Sequence, residues 1–428
     1  MADQNLPTIL CITTFEKGQE FMRECKRNGW AVLLMTVEKL KDAPWPRESL
    51  DETYYIPEDL PLDGIIHAVS YMARTQRIDR IVALDEFDME KAAALREHMR
   101  IPGMGLSTLR YFRDKLAMRA QAHEKGVLVP EFVPIVYYPQ IREYMQRVPG
   151  PWVLKPRQEA SAIGIRKIHK ADDLWPALDQ LGDKQTYYLL EQFVPGEVFH
   201  VDSVVSEHKV VFQAVSKYGH PPMQVAHEGG IFTTRILPRD SADSKELVKV
   251  NKALIKALGL LRGVTHAEFI QAKPGEQGAS AHPREQSARA KQRSVAEPSN
   301  NAGKFYFLEC AARVGGAYIN EMVEAASAIN LWREWARIEI AVGRRPYKTP
   351  QVKKEYSGII LSLAQQAEPD TTAYTDPEIK LRLKKHHHAG FVLASRDPKR
   401  VAKLLDSYAE RFMRDFMATA PLPDKPTA

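Results

Sequence analysis

Glu268 in THAEFIQ and Glu309 in FYFLECAARVGG each sit in a strand-like run, and the second run exits through Arg313 to Gly315 and Gly316. If the two runs pair antiparallel, the two-residue period brings both carboxylates to neighbouring positions on one face. Like charges side by side need a cation between them, and hard oxygen ligands of this kind suit Mg2+, held by one or two carboxylates and substrate phosphates. The competing reading leaves both glutamates at solvent-exposed strand ends. Lys155 ends the run WVLKP and would emerge into a cleft, followed by RQEASAIGI, whose small residues let backbone N–H groups approach an anion. Lys115, in RDKLAMRAQAHEKG, belongs on a helix near a domain junction. Each lysine alone reads equally well as a solvated surface charge; together with the carboxylate pair they supply the charge a triphosphate requires.

The elements that must position these residues fall into three stretches. TILCITT, WAVLLMTV and IDRIVALDEFD alternate with the helical runs KGQEFMRECKRNG and MEKAAALREHM, which predicts a small open parallel sheet. No GxGxxG follows the first strand, so a dinucleotide site is not expected. From Pro151 onward, PWVLKP, IGIRKIHK, TYYLLEQFV and VFHVDSVV read as antiparallel strands of an α+β unit. The expected domains are a parallel α/β domain over 1–108, an α+β module over 109–346, and a small C-terminal α+β lobe over 347–428. Residues 273–304 are almost without large apolar side chains, and the composition predicts a flexible loop joining the two glutamate-bearing strands.

The 428 residues exceed one compact core, and 44% hydrophobic with 27% charged residues is ordinary globular composition. The net charge of +6 is concentrated: residues 273–304 carry six basic and three acidic side chains, so nucleic acid is not an expected partner. Three cysteines without zinc spacing, no leader-like N-terminus and no long apolar run predict a cytoplasmic protein without a membrane partner.

Taken in order, Asp114-Lys115, the LKP at Lys155, LLEQFVPGE, HAEF and FLECAAR resemble the ATP-grasp superfamily, in the style of its carboxylate–amine ligases. The resemblance spans nearly the whole chain and identifies 109–346 as the ATP-grasp module. It implies that Lys115 and Lys155 contact the nucleotide phosphates and that Ser161 to Gly164 lie in the loop closing over them. Glu191 would meet the adenine amino group, Phe193 and Val194 would offer backbone groups to the ring, and Glu197 would take the ribose hydroxyls. Glu268 and Glu309 would hold Mg2+, with Mn2+ as a substitute. Two positions depart from the pattern. Ala311 stands where the second metal strand usually carries Asn, so water completes the shell, another side chain substitutes, or a single metal binds; and Ala160, Ser161 and Ala162 replace glycines of the phosphate loop.

The implied reaction is ATP-dependent ligation of a small-molecule carboxylate to an amine through an acyl phosphate, with Arg313 as the catalytic cation and Gly315 and Gly316 admitting substrate. Alternatives are transfer to another nucleophile, as in a carboxylase or thiol ligase, and an ATP-binding protein with little turnover. A homo-oligomer is compatible with each. His227, Glu228 and Arg235, in HEGGIFTTR, fall where related ligases place substrate contacts, although a glycine turn explains the same stretch. As a purely structural group, Arg313 would start a helix and pair with Glu321 or Glu324. His266 shares a strand face with Glu268 and reads either as a site residue or as a satisfied core histidine. The run His386–His388, read as strand, can turn at most two rings to one side.

Overall fold

The computed structural model describes residues 6–159, 163–273, 303–341 and 347–418, with the side chains of 226–228 left aside. Ser161, loop residues 274–302 and the side chains of His227 and Glu228 therefore lie outside the described residues. The first sheet contains β1 (Thr8–Ile12), β2 (Ala31–Val37), β3 (Glu52–Ile56) and β4 (Arg80–Ala83), all parallel, in the order β3-β2-β1-β4. Every residue of β1 and β2 is buried, as expected of strands covered on both faces. Leu10 and Ile12 pack with Ile65, Val69 and Ala92 on one side, while Ile9 and Cys11 pack with Phe21, Met22 and Cys25 on the other.

A second, antiparallel sheet holds β5 (Phe132–Pro134), β6 (Trp152–Pro156), β7 (Arg166–Ile168) and β8 (Tyr188–Gln192), in the order β5-β8-β6-β7. Trp152, Leu154 and Leu190 pack on the helices Tyr138–Arg147 and Leu174–Leu181. The two-residue period consequently turns Val153, Lys155, Leu189 and Glu191 to the opposite face.

The third sheet joins β9 (Gly196–Ser206), β10 (Lys209–Tyr218), β11 (Phe232–Ile236), β12 (Gly263–Ala272), β13 (Phe305–Ala311), β14 (Tyr356–Leu363), β15 (Ile379–Arg382) and β16 (His388–Ser395). Its order is β13-β12-β9-β10-β11-β14-β16-β15, and each neighbouring pair is antiparallel. The C-terminal residues thus form a small α+β layer whose strands extend the central sheet through β11 and β14. The helix Pro398–Asp415 covers this layer with Val401, Leu404, Leu405, Tyr408 and Phe412. His386 and His387 fall in a turn rather than a strand, with His387 in the left-handed region at φ 55°. Among the described residues no helix is long and apolar enough to cross a membrane.

Candidate functional site

Strands β12 and β13 pair antiparallel, with Glu268 directly opposite Glu309. Simple alternation along β13 would set Glu309 on the face of Phe305 and Phe307, which pack in the core beneath the sheet. A bulge intervenes: Phe269 pairs with Phe307 and Glu268 with Glu309, so Leu308 is the extra residue. The extra residue reverses the parity and turns Glu309 to the face of Glu268, the re-aiming that bulges produce beside functional sites. One row across the sheet reads Glu309, Glu268, His200; the adjacent row reads Ala311, His266, Asp202.

The helix Lys115–Glu124 begins at Asp114, whose carboxylate accepts from the N–H groups of Leu116 and Ala117 and also pairs with Arg157. That cap sets Lys115 in the first turn, where its ammonium lies 3.0 Å from Glu309 and donates to the Glu159 carbonyl at 2.6 Å. One turn later, Arg119 shares the same face. Its Nε donates to Glu191 at 3.0 Å, and the other Glu191 oxygen accepts from Lys155. Glu191, Lys155 and Arg119 are all buried. Both terminal nitrogens of the Arg119 guanidinium are buried without a hydrogen-bond partner among the described residues, which leaves donors in a site already rich in cations.

These charges tune one another. Burial pushes the Lys155 ammonium down, Arg119 repels it further, and Glu191 offsets only part of this, so it titrates at about 8. Desolvation raises the Glu309 carboxyl, but Lys115 and Lys155 overcome it and bring the group down to about 2. Burial likewise raises Glu191, yet Arg119 and Lys155 hold it below the ordinary carboxylate range. A bound triphosphate would restore Lys155 toward its ordinary 10.5. Nucleotide affinity is therefore expected to be level below pH 8 and to fall between about 8 and 10.5, by up to about tenfold per pH unit. Equilibrium binding of a non-hydrolysable ATP analogue across that range checks this, and a Lys155→Met variant should show a flatter profile.

Beside the carboxylate pair lies a polar cluster within the sheet. The Asp202 carboxylate takes His200 Nδ1 at 2.7 Å and His266 Nδ1 at 2.9 Å, and His200 Nε2 meets the Thr234 hydroxyl at 2.8 Å. Tyr218 donates its hydroxyl to Glu268 at 2.8 Å and lies 3.3 Å from His266 Nε2. Burial disfavours the His266 imidazolium, but Asp202 more than compensates and raises it to about 9. Burial prevails at His200, which is lowered. A Cβ at Gly315 would stand 3.0 Å from His266 Nδ1 and 3.1 Å from Asp202 Oδ1, so any side chain there would press on this pair.

Arg313 leaves β13 and forms a pair with Glu86 of the first domain, at 2.8 Å from Nη2 and 3.2 Å from Nε, rather than with Glu321 or Glu324. Glu86 also faces Arg113 at 3.4 Å. The other expected site residues are more scattered. Phe193 donates its N–H to the Pro151 carbonyl at 3.0 Å, which leaves its carbonyl to offer a ring, and Val194 is buried beside Val198 and Tyr218. Glu197 pairs with Lys217 at 2.6 Å on the surface, and Gly164 turns in the left-handed region at φ 72°. Arg235 lies between Thr234 and Ile236 on β11; since Thr234 faces His200, alternation sends Arg235 to the face away from Glu268. Gly316 has open space around it.

Several residues of this centre were not singled out in the sequence. Arg119 carries a signal in its spacing of one helical turn from Lys115, and His200 with Asp202 in its two-residue spacing along FHVD. Tyr218 and Glu86 carry none.

Glu268 and Glu309, on one face and flanked by the Lys115 ammonium and the Tyr218 hydroxyl, fit a hard divalent cation that would take the place of the lysine contact.

Residues 148–278 match the family model of the ATP-grasp domain. The L-arginine-specific L-amino acid ligase of Bacillus subtilis is 23% identical over 337 residues, spanning 77% of this chain and 74% of the relative. Among solved structures, the L-amino acid ligase from Bacillus licheniformis superposes with a TM-score of 0.68 at 14% identity, covering 96% of this chain and 98% of that one. N5-carboxyaminoimidazole synthetase from Staphylococcus aureus, complexed with ADP, gives a TM-score of 0.66 at 14% identity, covering 94% of this chain and 96% of that one.

Proposed function

The chain is a member of the ATP-grasp superfamily, and on that premise we propose that it is an ATP-dependent ligase joining a small carboxylate to an amine through an acyl phosphate. The observation that carries this reading is the convergence of Lys115, Lys155 and Arg119 with the carboxylates Glu268 and Glu309. A carboxylate is a poor electrophile, because its charge and resonance both resist a nucleophile. Its oxygen therefore attacks the γ-phosphorus of ATP, the bond to the β,γ-bridging oxygen breaks, and ADP leaves. The amine nitrogen then attacks the acyl carbon, the carbon–oxygen bond to phosphate breaks, and the amine gives up a proton as phosphate departs.

In this mechanism Lys115 and Lys155 hold the phosphates. Both oxygens of Glu191 are engaged by Lys155 and Arg119, so its first role is to hold those cations in place beside the nucleotide; a remaining lone pair can still accept from the adenine amino group. Val194 and the Phe193 carbonyl border the ring, and Glu197 reaches the ribose hydroxyls. Glu268 and Glu309 would hold Mg2+ or Mn2+, which when bound neutralises charge on the transferring phosphoryl group. Arg313 stabilises the phosphate and the tetrahedral oxyanion. The amino-acid ligases among the relatives favour an amino acid as one substrate, with Gly315 and Gly316 at its entrance. Three cysteines, all buried and unpaired, suit a reducing cytoplasm.

A hydroxylamine trap tests this reading. Purified protein with MgATP and a panel of amino acids and other carboxylates is expected to form acyl hydroxamate and ADP in equal amounts, and Glu309→Gln should abolish both. ATP binding without hydroxamate or ADP across a broad panel would instead favour a nucleotide-binding protein with little turnover, the reading that Ala311 invites.

A further inference from the structure

We propose that His266 supplies the third protein ligand of the metal site, its Nε2 replacing the oxygen that Ala311 does not offer. The inference rests on the ligase reading above and deepens it. Three observations lead to it. The residue opposite Ala311 across the sheet is His266, and directly opposite pairs set their Cβ atoms about 4.5–5.5 Å apart. The methyl of Ala311 therefore leaves adjacent room that a larger ligand from the neighbouring strand can occupy.

The second observation is the orientation of the ring. His266 Nδ1 is tied to Asp202 at 2.9 Å, and Nε2 lies 3.3 Å from the Tyr218 hydroxyl and 3.6 Å from a Glu268 oxygen, contacts that a bound ion would replace. Metal-bound histidines characteristically donate their other ring N–H to a carboxylate, which fixes the tautomer and turns the free nitrogen toward the ion. Asp202 is itself fully buried and held on its far side by His200, which Thr234 holds in turn. The third is Gly315, where the backbone passes so close that a Cβ would stand 3.0 Å from His266 Nδ1 and 3.1 Å from Asp202 Oδ1, so the chain packs directly on the pair and helps to hold it. A core histidine needs a hydrogen-bond partner; it does not need a buried chain of three further polar groups that aims it at a carboxylate.

An imidazole ligand has a chemical consequence. Nitrogen donors favour Mn2+ and the later transition metals over Mg2+ more than an amide oxygen does. The site is thus a mixed one, with Glu268 and Glu309 supplying oxygens, His266 supplying nitrogen, and Asp202 serving as the positioning residue.

The test uses the full chain with Mn2+ and a non-hydrolysable ATP analogue, read by electron spin echo envelope modulation of the bound ion. The expected result is a directly coordinated 14N signal that changes to the 15N pattern when the protein's histidines are 15N-labelled, and that disappears in His266→Ala and His266→Asn. Asp202→Asn should keep the signal and weaken Mn2+ binding by about tenfold. The double variant His266→Ala/Ala311→Asn should lose the nitrogen signal and move the Mn2+/Mg2+ affinity ratio toward Mg2+. Mn2+ that is lost in Glu309→Gln yet shows no histidine nitrogen in the wild type would overturn the His266 assignment and leave the ligase reading standing. A wild-type protein that binds neither Mn2+ nor the nucleotide analogue would overturn both.

Discussion

Arg313→Ala is expected to lower kcat for ADP and hydroxamate formation by about two to three orders of magnitude while changing nucleotide affinity only slightly. Donors aimed at charge that develops in the transition state have losses of this size when one is removed. The guanidinium lies just past Glu309 and is oriented by two contacts to Glu86 and by its own donation to the Val314 carbonyl at 2.9 Å. Removing it also leaves the buried Glu86 carboxylate with Arg113 as its remaining ion-pair partner among the described residues. The companion variant Glu86→Gln separates the two effects. If Arg313 acts on the reaction, Glu86→Gln should cost much less, because the guanidinium remains present though less well held. Equal losses in the two variants, accompanied by equal falls in melting temperature, would make Arg313 a strut between the first domain and the central sheet. Burst and steady-state kinetics, with the melting temperature measured alongside, decide between them.

Glu191→Gln should destabilise the protein by about 3–5 kcal/mol, the cost of breaking a buried ionic cluster by removing its shared partner. Glu191 is the carboxylate between Lys155 and Arg119, and Arg119 is wholly buried. Without it, two buried cations face each other unscreened by a carboxylate. The glutamine keeps the size and one acceptor oxygen, so the loss comes from charge rather than from a cavity. The pH dependence gives the sign. The variant should lower the Lys155 pKa further below its present value of about 8. Discharging the lysine then relieves part of the strain, so the stability gap to wild type should narrow as pH rises toward 8 and stay level above it. Urea denaturation at intervals from pH 6 to 9 measures this. A gap that does not vary with pH would mean that Lys155 has the same protonation state in both proteins across the range.

The local features of the chain were legible without a structure, because they are set by backbone geometry that each segment carries within itself. The apolar runs TILCITT and WAVLLMTV give buried strands, Asp114 caps the helix that presents Lys115, and THAEFIQ pairs with FYFLEC in the expected sense. The ordered motifs likewise singled out the glutamates, the lysines and Arg313 as site candidates. What the tertiary structure decided is which of these meet. A two-residue period cannot reveal that Leu308 bulges, yet that extra residue is what turns Glu309 toward Glu268. No local pattern announces that Arg313 pairs with Glu86 in the first domain, or that Glu191 joins Arg119 to Lys155. Nor does it show that β14 and β16 continue the sheet that carries the site, or that His266 stands across from Ala311. The reason is physical: strand and helix follow from contacts within a few residues, whereas register and the satisfaction of buried charge depend on partners remote in sequence, whose apposition exists only once the sheets have assembled.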